Sequence, residues 1–334
     1  MNILITAPYH ERALKELTAL FGPITYRLWK SKGSAYNEKE LIALLEEVKP
    51  DAFITEHDHV TKKVIQSYPQ LQFIGVCRGT PSNVDVNAAS HFNIPVFNTP
   101  ARNAQAVAEM LLSNLIMFMR NTVAAIKWLE DEKWEEGAHT SYLQFKGNEI
   151  AGKKIGMVGF GAVGQTTAKL LQHFPADIFY YDPYYTSENP HFRKVSIEDL
   201  FRTCDIVAIH LPVTEQTIGM IDKRLFSLMK EEAIFVNTSR AVVVNRMDLL
   251  EAIESNKIKG AILDVFDHEP PDEIDYKLIH HERVLATPHI AGATHEVEDH
   301  HADIMNGCLK DYFKEGNKNI KQLVNKNILN SKLS

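Results

Sequence analysis

Lys154-Ile155-Gly156-Met157-Val158-Gly159-Phe160-Gly161-Ala162-Val163-Gly164 is the stretch on which the reading of the chain turns. It is a short apolar run that ends in Gly-x-Gly-x-x-Gly, and Gln165–His173 continues it with a helical pattern. Glycines fall in this order by chance in many proteins, so the pattern gains its meaning from the strand before it and the helix after it. In that setting Gly159 permits a tight turn, Gly161 lets the backbone approach a pyrophosphate, and Gly164 lets helix pack on strand. The helix start then offers free N–H groups and the positive end of its dipole to the anion. The next apolar run, Ile178–Tyr181, ends at Asp182, 18 residues beyond Gly164. A carboxylate there can take the ribose hydroxyls of an adenosine and repels a 2′-phosphate, which favours NAD over NADP.

Outward from this stretch, strand-like runs alternate with helical patterns over nearly the whole chain. Ile3–Thr6, Ala52–Thr55, Phe73–Val76 and Val96–Asn98 form a first set. Lys154–Val158, Ile178–Tyr181, Ile206–Ile209, Ala233–Asn237, Gly260–Asp264 and Val284–Ala286 form a second. Leu41, Leu44, Leu45 and Val48 share one face of an intervening helix. Such alternation predicts α/β architecture with two doubly wound parallel sheets. Between the sets, Ala104 to Glu136 reads as helix without a strand, followed by a polar stretch, Glu135–Asn148. The helical pattern His295–Phe313 returns to the first domain, and the Asn/Lys-rich stretch from Gly316 to Ser334 is expected to fray.

The composition narrows the class. Of 334 residues 45% are hydrophobic and 24% charged, enough for sizeable cores. Lys and Arg number 36 against 43 Asp and Glu, a net charge of −7, so nothing favours nucleic acid as a partner. The longest mostly apolar run, Leu111–Met119, falls far short of the ~20 residues of a membrane span. Met1–Tyr9 lacks the basic region and cleavage site of a signal peptide. Cys77, Cys204 and Cys308 are far apart and form no CxxC; they read as buried apolar residues of a protein from the reducing cytoplasm.

Three further segments follow strands, at the edge where open α/β sheets bind ligands. They are Val236–Arg240, Leu263–Pro270 and Thr287–Gly292. Singly, their charged residues read as surface groups. Together, downstream of a dinucleotide fingerprint, they supply what hydride transfer at an alcohol carbon needs. Arg240 offers a planar fork for a substrate carboxylate and carbonyl, His289 a proton exchanger near neutral pH, and Glu269 a carboxylate to orient the ring.

With Val107-Ala108-Glu109, Gly159–Gly164, Asn237–Arg240, Asp264–Pro270 and Pro288–Gly292, the chain resembles the NAD-dependent D-isomer-specific 2-hydroxyacid dehydrogenases, and among them the phosphoglycerate dehydrogenase-like members, from about residue 1 to about 315. The resemblance implies a Rossmann-type NAD domain at residues 101–287, inserted into a flavodoxin-like substrate domain made of residues 1–100 and 288–334. It implies Arg240 as substrate binder, Glu269 as partner of the histidine and His289 as acid/base. It also implies cofactor contacts from Ala162, Val163, Asp182, Leu211, Pro212, Thr238 and Asp264; Ser239 and Gly292, in the strand-end segments, join Gly159, Gly161 and Gly164 in that set. Members usually dimerise through the cofactor domain, with Ala104–Glu136 as the arm.

One departure stands out. The family's substrate loop reads Arg-x-Gly-x-Gly before Asp-Asn-Ile-Asp, whereas Cys77-Arg78-Gly79-Thr80-Pro81-Ser82-Asn83-Val84-Asp85 is about two residues shorter and contains a proline. Arg78, Gly79 and Thr80 remain to receive the substrate carboxylate; Pro81 removes one N–H donor, and substrate identity is not inherited. The cluster His295-Glu296-Val297-Glu298-Asp299-His300-His301 fails as a metal site, because His295 and His300 lie about 140° apart around a helix; it is expected to be a solvated face, and no metal is expected elsewhere. His57 and His59, like Tyr9 and His10, read as surface groups with substrate contact as the alternative. The rival to an enzyme is an NAD(H)-sensing regulator or corepressor-like protein on the same fold. A formate-oxidising relative would pair its histidine with an amide rather than Glu269, and no GxSxG elbow supports a serine hydrolase.

Overall fold

The structure, a computed structural model, describes residues 1–134 and 138–332, and two units emerge from it: Met1–Arg102 with Thr294–Ser334, and Asn103–Ala293.

In the first unit β1 (Ile3–Ile5), α1 (Glu11–Phe21), β2 (Ile24–Tyr26), α2 (Trp29–Lys32), α3 (Glu38–Val48), β3 (Ala52–Thr55), α4 (Lys62–Ser67), β4 (Ile74–Val76), α5 (Val86–His91) and β5 (Val96–Asn98) form a parallel sheet of order β2-β1-β3-β4-β5 with flanking helices. This is the flavodoxin-like order, whose switch point lies between β1 and β3. β1, β3 and β4 are buried throughout, as their apolar runs require when helices cover both faces. α3 starts with a capping box between Asn37 and Glu40 and buries Leu41, Leu44 and Leu45. The C-terminal helix, α14 (Glu296–Phe313), packs on α1, where Asn306 donates to the Ala13 carbonyl at 2.9 Å.

The second unit begins with α6 (Ala104–Met119), α7 (Thr122–Glu130) and α8 (Ala138–Gln144). There follow β6 (Lys154–Val158), α9 (Ala162–Leu171), β7 (Asp177–Tyr181), β8 (Phe192–Lys194), α10 (Ile197–Thr203), β9 (Ile206–Ile209), α11 (Lys223–Leu228), β10 (Ile234–Asn237), α12 (Arg246–Glu254), β11 (Gly260–Leu263), α13 (Glu273–Ile279) and β12 (Val284–Ala286). The seven parallel strands run β12-β11-β10-β9-β6-β7-β8, so the order reverses between β6 and β9 as in a Rossmann-type sheet. Leu111, Leu115 and Met119 of α6 join Ile155, Met157 and Ala168 in one core cluster.

Several expectations are corrected. β2 (Ile24-Thr25-Tyr26) and β8 (Phe192-Arg193-Lys194) escaped the sequence reading because neither is a continuous apolar run. The expected continuous helix from Ala104 breaks at Asn121, which takes a left-handed φ of 54°. Within the stretch read as a polar link lies α8; Glu135 and Glu136 fall outside the described residues. The tail does not fray over its described length. Ile320, Leu323 and Ile328 are buried, Leu323 bridges antiparallel to Phe97, and Val324 donates to the Val96 carbonyl at 2.8 Å. His301, read as part of a solvated face, is fully buried and bonds the Pro8 carbonyl at 2.7 Å through Nε2. The units divide at 102/103 and 293/294, beside the expected 100/101 and 287/288, and residues 290 and 291 are tied by hydrogen bonds to Asp264, which follows β11. Among the described residues no helix is long and apolar enough to cross a membrane.

Candidate active site

The fingerprint glycines have separate steric duties. Gly159 takes φ +91°, and a Cβ there would stand 2.7 Å from the His210 carbonyl oxygen. A Cβ on Gly164 would stand 2.5 Å from the Gly159 carbonyl oxygen, whereas one on Gly161 would meet nothing within 4 Å. Two glycines therefore close the turn and the third opens onto free space. Gly161 is also the N-cap of α9, with no side chain capping the helix, so the first N–H groups, those of Ala162 and Val163 among them, are available to an anion. This geometry fits a dinucleotide pyrophosphate.

Asp182 follows β7 directly. Its Oδ2 accepts from Phe160 N at 2.8 Å, and Oδ1 accepts from Tyr184 N at 2.8 Å and Tyr185 N at 3.1 Å. The carboxylate thus fixes the fingerprint loop, a duty the sequence did not disclose. After β9 come Leu211, buried, and Pro212, exposed, whose carbonyl accepts from Thr217 Oγ1 at 2.6 Å. Thr238 after β10 has a buried hydroxyl without a partner among the described residues. The sequence reading passed over His210. Both its ring nitrogens are buried without partners among the described residues, its Cδ2 lies 3.5 Å from the place of a Gly164 Cβ, and burial pushes its pKa down to about 4. Its only sequence signal was a polar residue closing an apolar strand. A neutral imidazole beside the fingerprint, with unfilled hydrogen-bonding capacity, suits cofactor contact.

Arg240, Glu269 and His289 follow β10, β11 and β12, which are neighbours in the sheet. Adjacent strands lie about 4.8 Å apart, so the three loops share one short length of the C-terminal edge. Asn237 shapes the first loop: its Oδ1 accepts from Ser239 N and Oγ, and its Nδ2 donates to the Arg240 carbonyl at 3.0 Å. Ser239 is thereby engaged in the turn. The Arg240 side chain is exposed, with Nη1 donating to the Ser239 carbonyl at 2.7 Å.

Asp264 organises the third loop. It is 1% exposed; Oδ1 accepts from Thr287 Oγ1 at 2.6 Å and Ile290 N at 2.9 Å, and Oδ2 accepts from Ala291 N at 2.9 Å. Its carboxylate is spent on the loop, so its part in cofactor binding would come from backbone or position. Gly292 packs close: a Cβ there would stand 2.7 Å from Asn103 Nδ2. Between these anchors His289 takes a left-handed φ of 53°, uncommon for a non-glycine residue, and its Nδ1 lies 2.7 Å from Glu269 Oε1. Both side chains are about half exposed, at 45% and 48%, and the Glu269–Pro270 peptide is cis. A mainly apolar hollow of about 340 Å³ lies beside them, lined by Phe266, Pro270, Ile279 and Pro288.

In the first unit, Arg78, Gly79 and Thr80 follow β4. Thr99 N donates to the Arg78 carbonyl at 2.9 Å and Asn98 Nδ2 to the Gly79 carbonyl at 2.7 Å, so the end of β5 pins the loop. Beside it lies a hollow of about 790 Å³ lined by His57, His59, Lys62, Arg78, Ser82 and Asn83 among others. Asp58, next to His57 and His59 in the chain, is fully buried and accepts from Tyr36 N and Thr55 Oγ1, both at 2.7 Å. Tyr9 is buried rather than superficial, and His10 caps α1 through Nδ1. The three cysteines are free and buried; burial raises Cys204 to about 11 and Cys308 to about 12, so neither offers a thiolate nucleophile near neutral pH.

Comparison with known proteins places this geometry. The model of the D-isomer specific 2-hydroxyacid dehydrogenase NAD-binding domain matches residues 112–291. The chain is 56% identical over 329 residues to YoaD of Bacillus subtilis (strain 168), provisionally named a 2-hydroxyacid dehydrogenase, covering 98% of this chain and 96% of the relative. It is 32% identical over 342 residues to a glyoxylate reductase of Thermococcus litoralis, covering 99% and 98% of the two. Its fold matches that of D-2-hydroxyisocaproate dehydrogenase with a TM-score of 0.81 at 23% identity, over 97% of this chain and 99% of the other. These findings do not favour the regulatory alternative, and they support NAD as the cofactor. With the NAD-binding model covering more than half of the sequence and a relative matching it almost end to end, the chain belongs to the D-isomer specific 2-hydroxyacid dehydrogenases.

Proposed function

We propose that the chain interconverts a D-2-hydroxy acid and its 2-keto acid, with Arg240, Glu269 and His289 as the working residues. The observation that carries this reading is the 2.7 Å pair of His289 Nδ1 and Glu269 Oε1, on the same sheet edge as Arg240. NAD, when bound, accepts hydride from the alcohol carbon and as NADH returns it to the carbonyl carbon. The guanidinium of Arg240 holds the carboxylate and polarises the carbonyl through its planar fork. Glu269 accepts a hydrogen bond from Nδ1–H and fixes the tautomer, so Nε2 is the atom that exchanges a proton with substrate. In reduction Nε2–H protonates the carbonyl oxygen as hydride reaches carbon; in oxidation neutral Nε2 removes the hydroxyl proton.

The same reading assigns Gly159, Gly161, Ala162, Val163 and Gly164 to the pyrophosphate and Asp182 to the ribose. Leu211, Pro212, Thr238, Ser239, Asp264 and Gly292 surround the rest of the cofactor, and Arg78, Gly79 and Thr80 receive the substrate carboxylate. His57, His59, Lys62 and Arg78, which line a hollow of the first unit, support a substrate with further hydroxyl or anionic groups, as in phosphoglycerate. Homodimerisation through the α6–α7 region is part of the proposal: Val123, Ile126, Leu129 and Trp134 are exposed there. Three buried, unbridged cysteines suit a reducing cytoplasm.

The test is NADH oxidation with glyoxylate, hydroxypyruvate, pyruvate, the keto acid of 3-phosphoglycerate and longer 2-keto acids, in wild type and His289→Ala. One keto acid should be turned over, and the variant should lose at least ~100-fold in kcat while binding NADH as before. Failure of every keto acid, or an active His289→Ala, overturns the assignment.

A further inference from the structure

The loop that bears Glu269 is fastened at both feet by one side chain. Arg246 is the first residue of α12, and its guanidinium reaches three carboxylates. Nε lies 3.2 Å from Asp267 Oδ2, and Nη1 lies 2.9 Å from Asp272 and 3.0 Å from Asp275 Oδ1. Asp267 stands two residues before Glu269 and Asp272 three after it. Asp275 is 1% exposed and ties the feet to each other: its Oδ2 accepts from His268 N at 3.2 Å and Asp272 N at 3.4 Å. The ring of His268 closes the set, with Nδ1 3.0 Å from Asp272 Oδ2.

The charges show what Arg246 does. Three carboxylates converge on a half-buried spot, and without a cation among them they would repel one another and spread the loop. A planar guanidinium satisfies several at once in a fixed geometry, which a mobile ammonium does not. His268, Asp272 and Asp275 have donor atoms within 4.8 Å of one another, the spacing of a metal site, but Arg246 already sits on both carboxylates.

We propose that Arg246 is a positioning residue for proton transfer, clamping Asp267 and Asp272 so that Glu269 meets Nδ1 of His289. This rests on the proposed pairing of Glu269 with His289 in catalysis. Arg246 makes no hydrogen bond or ion pair with either of them; it sets where the loop between its two anchors stands.

The test is a double-mutant cycle of Arg246→Met and Glu269→Gln in the full chain, reading kcat, keto-acid KM, NADH affinity by fluorescence and melting temperature. Arg246→Met should lower kcat roughly tenfold to a hundredfold, as expected for a displaced catalytic group, with NADH affinity within about twofold. On the Glu269→Gln background the same change should cost less than about twofold in kcat, because the group that it positions is gone. Arg246→Lys should recover part of the loss. Should Arg246→Met not fold, Asp267→Asn loosens one foot only and is put through the same cycle. Wild-type kcat in the Arg246 variants, or an equal loss on both backgrounds, overturns the proposal. An unimpaired Glu269→Gln instead strikes the underlying catalytic reading.

Discussion

His210 makes acid sensitivity of the fold calculable. Its ring nitrogens are buried without partners among the described residues, and burial alone holds its pKa at about 4 against an ordinary 6.5. Above pH 6.5 the histidine is neutral in folded and unfolded chains alike and contributes no pH dependence. Between 6.5 and 4 the unfolded chain takes up a proton that the folded one refuses, so stability falls as pH falls. Below 4 both are protonated and the loss levels off. At 1.36 kcal/mol per pH unit the full loss is about 3 kcal/mol, a large share of a typical folding free energy. Replacing the ring by leucine removes both the titration and two unsatisfied nitrogens. The assay is urea unfolding of the cofactor-free protein at pH 7 and pH 4.5, followed by fluorescence. Carboxylates and His301, whose pKa burial also lowers, titrate in both proteins and cancel in the comparison. His210→Leu should match or exceed wild-type stability at pH 7 and lose about 2–3 kcal/mol less on acidification. Equal losses in the two proteins would refute the reasoning.

Asp182→Ala should narrow the preference for NADH over NADPH in kcat/KM, since a carboxylate no longer faces the 2′-phosphate, and should weaken both cofactors because the Phe160 N–H loses its acceptor. NADPH used as well as NADH by wild type would contradict the assignment of Asp182. Arg240→Lys keeps the charge but not the fork, and kcat/KM for the keto acid should fall by about two orders of magnitude; near-native activity would remove Arg240 as the substrate clamp. Ile126→Glu with Leu129→Glu puts two charges on the exposed apolar face of α7 and should shift sedimentation from dimer to monomer. A wild-type species that sediments as a monomer would end the dimer proposal.

The fold was legible where the sequence repeats a strong local pattern. Ten strands announced themselves because buried parallel strands are continuous apolar runs. β2 and β8 did not, because Ile24-Thr25-Tyr26 and Phe192-Arg193-Lys194 carry polar residues and are not apolar runs. The tail misled through composition: Asn and Lys suggested fraying, yet a single buried Asn325 accepts from Val96 N at 2.8 Å and donates to the Ile94 carbonyl at 2.9 Å, which no composition discloses. In the same way His301 looked like one member of a charged run, and its burial follows from its face of α14 meeting Pro8. At the candidate site, the fingerprint and the three strand-end loops could be read because chain order alone brings them to one edge. What could not be read was the support behind them. The bonds from Asp182 to Phe160, from Asp264 to the 287–291 loop and from Arg246 to three aspartates depend on side-chain directions across a sheet edge.

The C-terminal segment has a bearing on solubility. β5 is the last strand of its sheet, and an uncovered parallel edge is a template on which other chains can build sheet. Residues 322–325 run antiparallel along it: Asn98 N donates to the Gln322 carbonyl at 3.0 Å, Val324 N to the Val96 carbonyl at 2.8 Å, and Phe97 bridges Leu323. The segment therefore serves as a permanent edge cover. Shortening the chain to Gly316 would leave Arg240, Glu269 and His289 in place and expose an apolar strand flank, so aggregation should appear before any loss of activity.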